Sequence, residues 1–115
     1  MSPGPPLYLG EFEQLVLLAI LRLASEAHGV GIARELETQA GRRVSRGSLY
    51  TTLDRLEQKQ LVRWKIVPGG DERGRLPRRL YSVTARGLAS IRAAQRGFRR
   101  MTTGLEDLLD KAGSR

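Results

Sequence analysis

The stretch Ser45-Arg46-Gly47-Ser48-Leu49-Tyr50-Thr51-Thr52-Leu53-Asp54-Arg55-Leu56 decides the fold. Ser45 is a good helix N-cap, because its short side chain accepts one of the unpaired N–H groups of a first helical turn. Leu49, Leu53 and Leu56 recur at i, i+4 and i+7, an apolar stripe on a helix that should end near Gln60. What the stripe leaves over is polar: Ser45, Arg46, Ser48, Tyr50, Thr51, Thr52 and Arg55. Hydroxyls and the free N–H groups of a helix start bind phosphate, and an arginine fork matches the two acceptors of guanine.

The flanks make this helix the third of a set. From Gly10 to Ala27 the apolar residues Phe12, Leu15, Val16, Ala19 and Leu23 step by three and four, while Leu17, Leu18, Ile20 and Leu21 widen the apolar surface. Such a helix must be covered on more than one side. His28-Gly29 interrupts the pattern, a second helix is predicted from about Gly31 to Gln39, and Gly41 closes it. Downstream, Leu61 to Val67 and Leu80 to Val83 read as short strands, joined by a stretch rich in turn formers that carries Arg73 and Arg75, with Arg78 and Arg79 close behind. Three short helices followed by a basic hairpin describe a winged helix-turn-helix, whose third helix is about as wide as the major groove of duplex DNA.

Thr84 caps a last helix predicted from Ala85 to about Lys111, where Leu88, Ile91, Gln95, Phe98, Thr102, Leu105 and Leu109 alternate by three and four like a heptad seam. The expected fold is therefore mainly α with a small β-hairpin, a winged helix-turn-helix plus a long C-terminal dimerisation helix. Its parts are a flexible leader (1–8) holding three prolines, a DNA-binding domain (9–84) and the C-terminal helix (85–112).

Composition agrees. The 115 residues suit one domain, and 20 lysines and arginines against 12 acids give a net charge of +8. The charge is uneven: residues 1–41 hold two basic and five acidic side chains, residues 42–79 eleven and four, residues 80–115 seven and three. The middle segment is the footprint expected for a polyanionic partner. There is no cysteine and one histidine, which removes disulfides, thiolate metal sites and the usual zinc site; no cofactor is expected. No paired carboxylates, serine–histidine arrangement or phosphate-cradling glycine loop suggests an enzyme. The longest apolar run, Leu15 to Leu21, falls far short of the ~20 residues of a membrane span. With no signal peptide, a cytoplasmic protein is expected, with no membrane partner.

Gly29-Val30-Gly31-Ile32, the Ser45–Leu56 stretch, Leu61-Val62 and Arg79-Leu80-Tyr81-Ser82-Val83-Thr84-Ala85-Arg86-Gly87 together resemble the PadR family of bacterial transcription regulators, over roughly residues 9–110. The resemblance implies a homodimer built through the first and last helices, operator binding, and usually repression relieved by a small-molecule effector whose identity it does not give. The single C-terminal helix resembles the short branch of the family. Family ligand pockets lie at the dimer interface and often use aromatics of the last helix, where this chain offers Phe98. Two positions depart from the pattern: Thr51 stands where proline is frequent, and Gln60 where a glycine commonly precedes the Leu-Val pair. Two other readings stay open at this point: an RNA-binding winged helix, and a protein-interaction module that uses the C-terminal helix.

Overall fold

A computed structural model describes residues 8–69 and 76–113. The order is α1 (Glu11–Leu23), a 3-10 turn (Ala24–Glu26), α2 (Gly29–Ala40), α3 (Arg46–Gln58), β1 (Val62–Val67), β2 (Arg78–Val83), α4 (Ala85–Thr102) and α5 (Glu106–Gly113). The winged helix-turn-helix expected from the sequence is present, with β1 and β2 as one antiparallel hairpin.

Val16, Leu17 and Ile20 of α1, Ile32 and Leu36 of α2, and Leu49, Leu53 and Leu56 of α3 form the core, closed below the hairpin by Leu61, Val62 and Tyr81. Leu49, Leu53 and Leu56 are the stripe read from the sequence. Helix α2 starts earlier than the expected Gly31, because His28 takes an extended conformation and acts as N-cap, its carbonyl accepting the Ile32 N–H at 2.8 Å. Gly41 ends that helix in the left-handed region (φ 63°), where its N–H reaches the Glu37 carbonyl.

The end of α3 repeats this device with the wrong residue type. Gln60 has φ 64°, its N–H bonds the Glu57 carbonyl at 2.8 Å, and the Leu61 N–H reaches back to Leu56 at 2.9 Å. That is a left-handed helix stop, a conformation that suits glycine, held here by a glutamine.

The hairpin pairs Val62 with Val83, Trp64 with Tyr81 and Ile66 with Arg79. It is fastened to the helices at two points: the Tyr81 N–H bonds the Ala27 carbonyl at 2.9 Å, and Thr84 bonds the end of α3. The Thr84 N–H reaches the Leu61 carbonyl (3.0 Å), its hydroxyl donates to the Gln60 carbonyl (2.7 Å), and the same oxygen accepts the Gly87 N–H as the N-cap of α4 (3.0 Å).

The C-terminal helix differs from expectation. It stops at Thr102, where Thr102 and Thr103 both turn their hydroxyls onto the Arg99 carbonyl and Gly104 takes φ 90°. The short α5 then starts with Glu106, whose carboxylate accepts the Gly104 N–H at 2.9 Å. Two adjacent threonines that satisfy a helix carbonyl from their own side chains, followed by a glycine, outweigh the apolar periodicity that ran across them. Among the described residues no helix is long and apolar enough to cross a membrane.

Candidate nucleic-acid interface

Helix α3 divides into two faces. Leu49, Thr52, Leu53 and Leu56 are buried, whereas Ser45, Arg46, Ser48, Thr51, Asp54 and Arg55 are exposed. Ser45 is committed as a cap, its hydroxyl oxygen accepting the Ser48 N–H at 3.1 Å. At 100° per residue, the line directly opposite the core runs through Gly47, Thr51, Asp54 and Gln58, with Ser48 and Arg55 on one flank and Arg46 on the other. Arg46 and Arg55 form no ion pair among the described residues, since Glu35 is taken by Arg22 at 2.6 Å and Glu37 lies 3.7 Å from Arg43. Two cations without ion pairs thus bracket a row that is polar apart from Gly47 and carries one acid, Asp54, a face that suits a phosphate backbone with base edges between where that acid is compensated.

Three sequence candidates make contacts within the protein, and for Tyr50 ring packing is what its amphipathic character beside Leu49 already favoured. Thr52 is only 6% exposed and belongs to the core side of α3, because i+3 from Leu49 returns to the same face. Tyr50 is half-buried, its ring laid against Gly29 at the start of α2. Arg79 stacks on Trp64, 4.0 Å from the ring centroid, and its Nη1 lies 3.8 Å from Asp54. Arg78 is half-buried and, with Arg79, His28, Arg34 and Tyr50, lines a cleft of about 680 Å³ between the wing base and α2. Arg73 and Arg75 lie outside the described residues.

Asp54 and Trp64 were not among the sequence candidates. The Leu-Asp-Arg-Leu string shows an acid inside a cationic helix, but its partner depends on the hairpin register, and a tip of ten residues leaves that register undefined from sequence.

The electrostatics of the support are local. Burial alone would raise the pKa of Glu13, yet the Lys59 ammonium at 2.7 Å, the Gly10 N–H at 3.0 Å and the Arg55 charge hold it below the usual carboxylate value. This pair clamps the start of α1 to the end of α3. Burial pushes the Tyr81 phenol up, against the pull of the adjacent Arg79 guanidinium. Among the described residues no group of three or more metal-ligating side chains occurs.

The seam on the last helix is split between two environments. Ile91 is buried and Leu88 half-buried against their own domain, while Phe98, Met101 and Leu108 are 69%, 78% and 67% exposed. Gln95, Leu105 and Leu109 are exposed and Thr102 half-buried.

The family model of the transcriptional regulator PadR-like family matches residues 17–93. Among solved structures, a PadR family regulator from Eggerthella lenta is 27% identical with a TM-score of 0.62, over 86% of this chain and 86% of that one. A PadR family regulator from Clostridium difficile has a TM-score of 0.69 at 20% identity, over 87% of this chain and 99% of that one. Bacillus subtilis PadR, solved in complex with operator DNA, has a TM-score of 0.61 at 16% identity, over 74% of this chain and 47% of that one. Among curated proteins none matches.

Proposed function

Because the chain belongs to the PadR-like family of transcriptional regulators, we propose that it binds duplex DNA sequence-specifically, as a homodimer, and represses transcription until a small-molecule effector releases it. The observation that carries the DNA reading is the outer face of α3, where Arg46 and Arg55, without an ion pair among the described residues, stand on either side of Thr51, with Ser48 beside Arg55. The operator complex of the Bacillus subtilis relative supports it by fold. The DNA-contacting set comprises Ser45, Arg46, Ser48, Thr51 and Arg55, extended by Arg73, Arg75 and Arg78 of the wing. Thr52 supports the helix from within, and Tyr50 sets it against α2.

The dimer reading rests on Phe98, Met101, Leu105, Leu108 and Leu109, large apolar side chains of the last two helices that are all exposed in the single chain. Leu88 and Ile91 serve the domain's own core. A cytoplasmic location follows from this function.

Selection of duplexes from a random pool by the wild-type protein tests the reading. Enrichment of a two-fold symmetric motif is expected, with a mass from sedimentation that fits two chains. Failure to enrich any sequence, or a monomer at tens of micromolar, an order-of-magnitude range for such assemblies, would overturn the DNA or the dimer part respectively.

A further inference from the structure

Register places Arg79 diagonally across from Trp64 on the core-facing side of the hairpin, within reach of a long side chain over an aromatic ring. The guanidinium covers the indole at 4.0 Å and its edge approaches Asp54 Oδ1 at 3.8 Å. A stacked guanidinium keeps its N–H groups free at the edge, so one side chain makes both contacts without competition between them. The two contacts join elements that the chain connects only through the end of α3: Asp54 lies on the outer line of α3, Trp64 on β1 and Arg79 on β2.

Asp54 is also out of place electrostatically. On a face that meets phosphate, an uncompensated carboxylate repels the ligand. A cation brought from the neighbouring strand cancels that charge without leaving the wing base.

We propose that Arg79 is a positioning residue, which fixes the angle between the wing and α3 and neutralises Asp54, and that it does not contact phosphate. The inference rests on the reading that the outer face of α3 meets DNA. It separates Arg79 from the other wing arginines: they supply charge to the ligand, whereas Arg79 spends its charge inside the protein.

Trp64 is the one tryptophan in the chain, so its emission reports the stack directly. The experiment compares wild type, Asp54→Asn, Arg79→Gln and the double variant. Acrylamide quenching of Trp64 is measured in the free proteins, and affinity for the enriched duplex and for a scrambled duplex over a salt series. Releasing Arg79 by Asp54→Asn is expected to make Trp64 more accessible to quencher. The same variant removes a negative charge and so binds the scrambled duplex more tightly. Its preference for the enriched duplex nevertheless falls, by roughly fivefold if the geometry is worth one exposed ion pair. Arg79→Gln keeps the wild-type salt slope on the scrambled duplex, and adding Asp54→Asn to it costs no further preference.

A slope lower by about one unit in Arg79→Gln, the mark of a lost phosphate contact, overturns the proposal. So does an Asp54→Asn protein whose quenching and preference both match wild type. If Arg79→Gln does not fold by circular dichroism, Asp54→Asn decides alone, because only the positioning role predicts a loss of preference when Asp54 is neutralised. A wild-type protein that binds no duplex defeats the functional reading instead, and the quenching comparison still tests the strut.

Discussion

The phenol of Tyr50 fills the space that a Cβ on Gly29 would occupy, so the first residue of α2 and the middle of the first two turns of α3 fix each other's approach. Helix propensity alone favours alanine over glycine by up to about 1 kcal/mol. Gly29→Ala is nonetheless expected to destabilise by about 1–3 kcal/mol, the usual cost of overpacking. In a Tyr50→Leu background the same substitution should cost little or stabilise. Urea unfolding of the four proteins gives the coupling, and a Gly29→Ala penalty equal in both backgrounds would show that Tyr50 is not the obstacle.

The Glu13–Lys59 pair gives a pH dependence with a definite sign. The native Glu13 carboxyl has a pKa held below that of an ordinary glutamate, so its ionised form stabilises the fold above the ordinary value and the contribution disappears as pH falls through the lower, native one. Glu13→Gln should cost about 1.5–3 kcal/mol at neutral pH, as for a hydrogen bond to a charged group, and progressively less in acid. Denaturant curves of both proteins from neutral pH downward check this; a gap that stays constant with pH contradicts the assignment.

Gln60 in the left-handed region should be relieved by glycine. Gln60→Gly is expected to raise stability by about 0.5–1 kcal/mol, part of the left-handed penalty being offset by the greater chain entropy of glycine in the unfolded state. Gln60→Ala keeps the Cβ and should change little, so the pair of melting temperatures separates backbone strain from loss of the exposed amide. Binding to the enriched duplex should be the same in all three proteins.

Arg46 stands in the first turn of α3, unpaired among the described residues and exposed. If it makes a bidentate contact to guanine, Arg46→Ala removes roughly 1–3 kcal/mol of discrimination per half-site, and Arg46→Lys restores little of it because a point charge lacks the fork. Titration of enriched and scrambled duplexes at one salt concentration is the measurement. Equal loss on both, with lysine restoring most of it, reassigns Arg46 to phosphate anchoring.

Much of the fold was legible because its signals are local. The leucine stripe of α3, the Ser45 and Thr84 caps and the left-handed stop at Gly41 each follow from a few neighbouring residues, and all stand in the structure. What failed to show was set by contacts distant in sequence or by competition within one turn. Thr52 looks like a free hydroxyl until the full width of the buried face is known. Arg79 looks like one more wing cation until the register brings it over Trp64. The break after Thr102 needed the threonine hydroxyls to be weighed against an unbroken apolar rhythm.

Thr84 gives the molecule its kinematics. Four hydrogen bonds pass through this residue: two to the strand-entry backbone at Gln60 and Leu61, and two to the first turn of α4, from the Gly87 and Leu88 N–H groups. The end of α3, the root of the wing and the start of α4 therefore share a single joint rather than three. A rotation of α4 would act first on the backbone where the recognition helix ends and the wing begins.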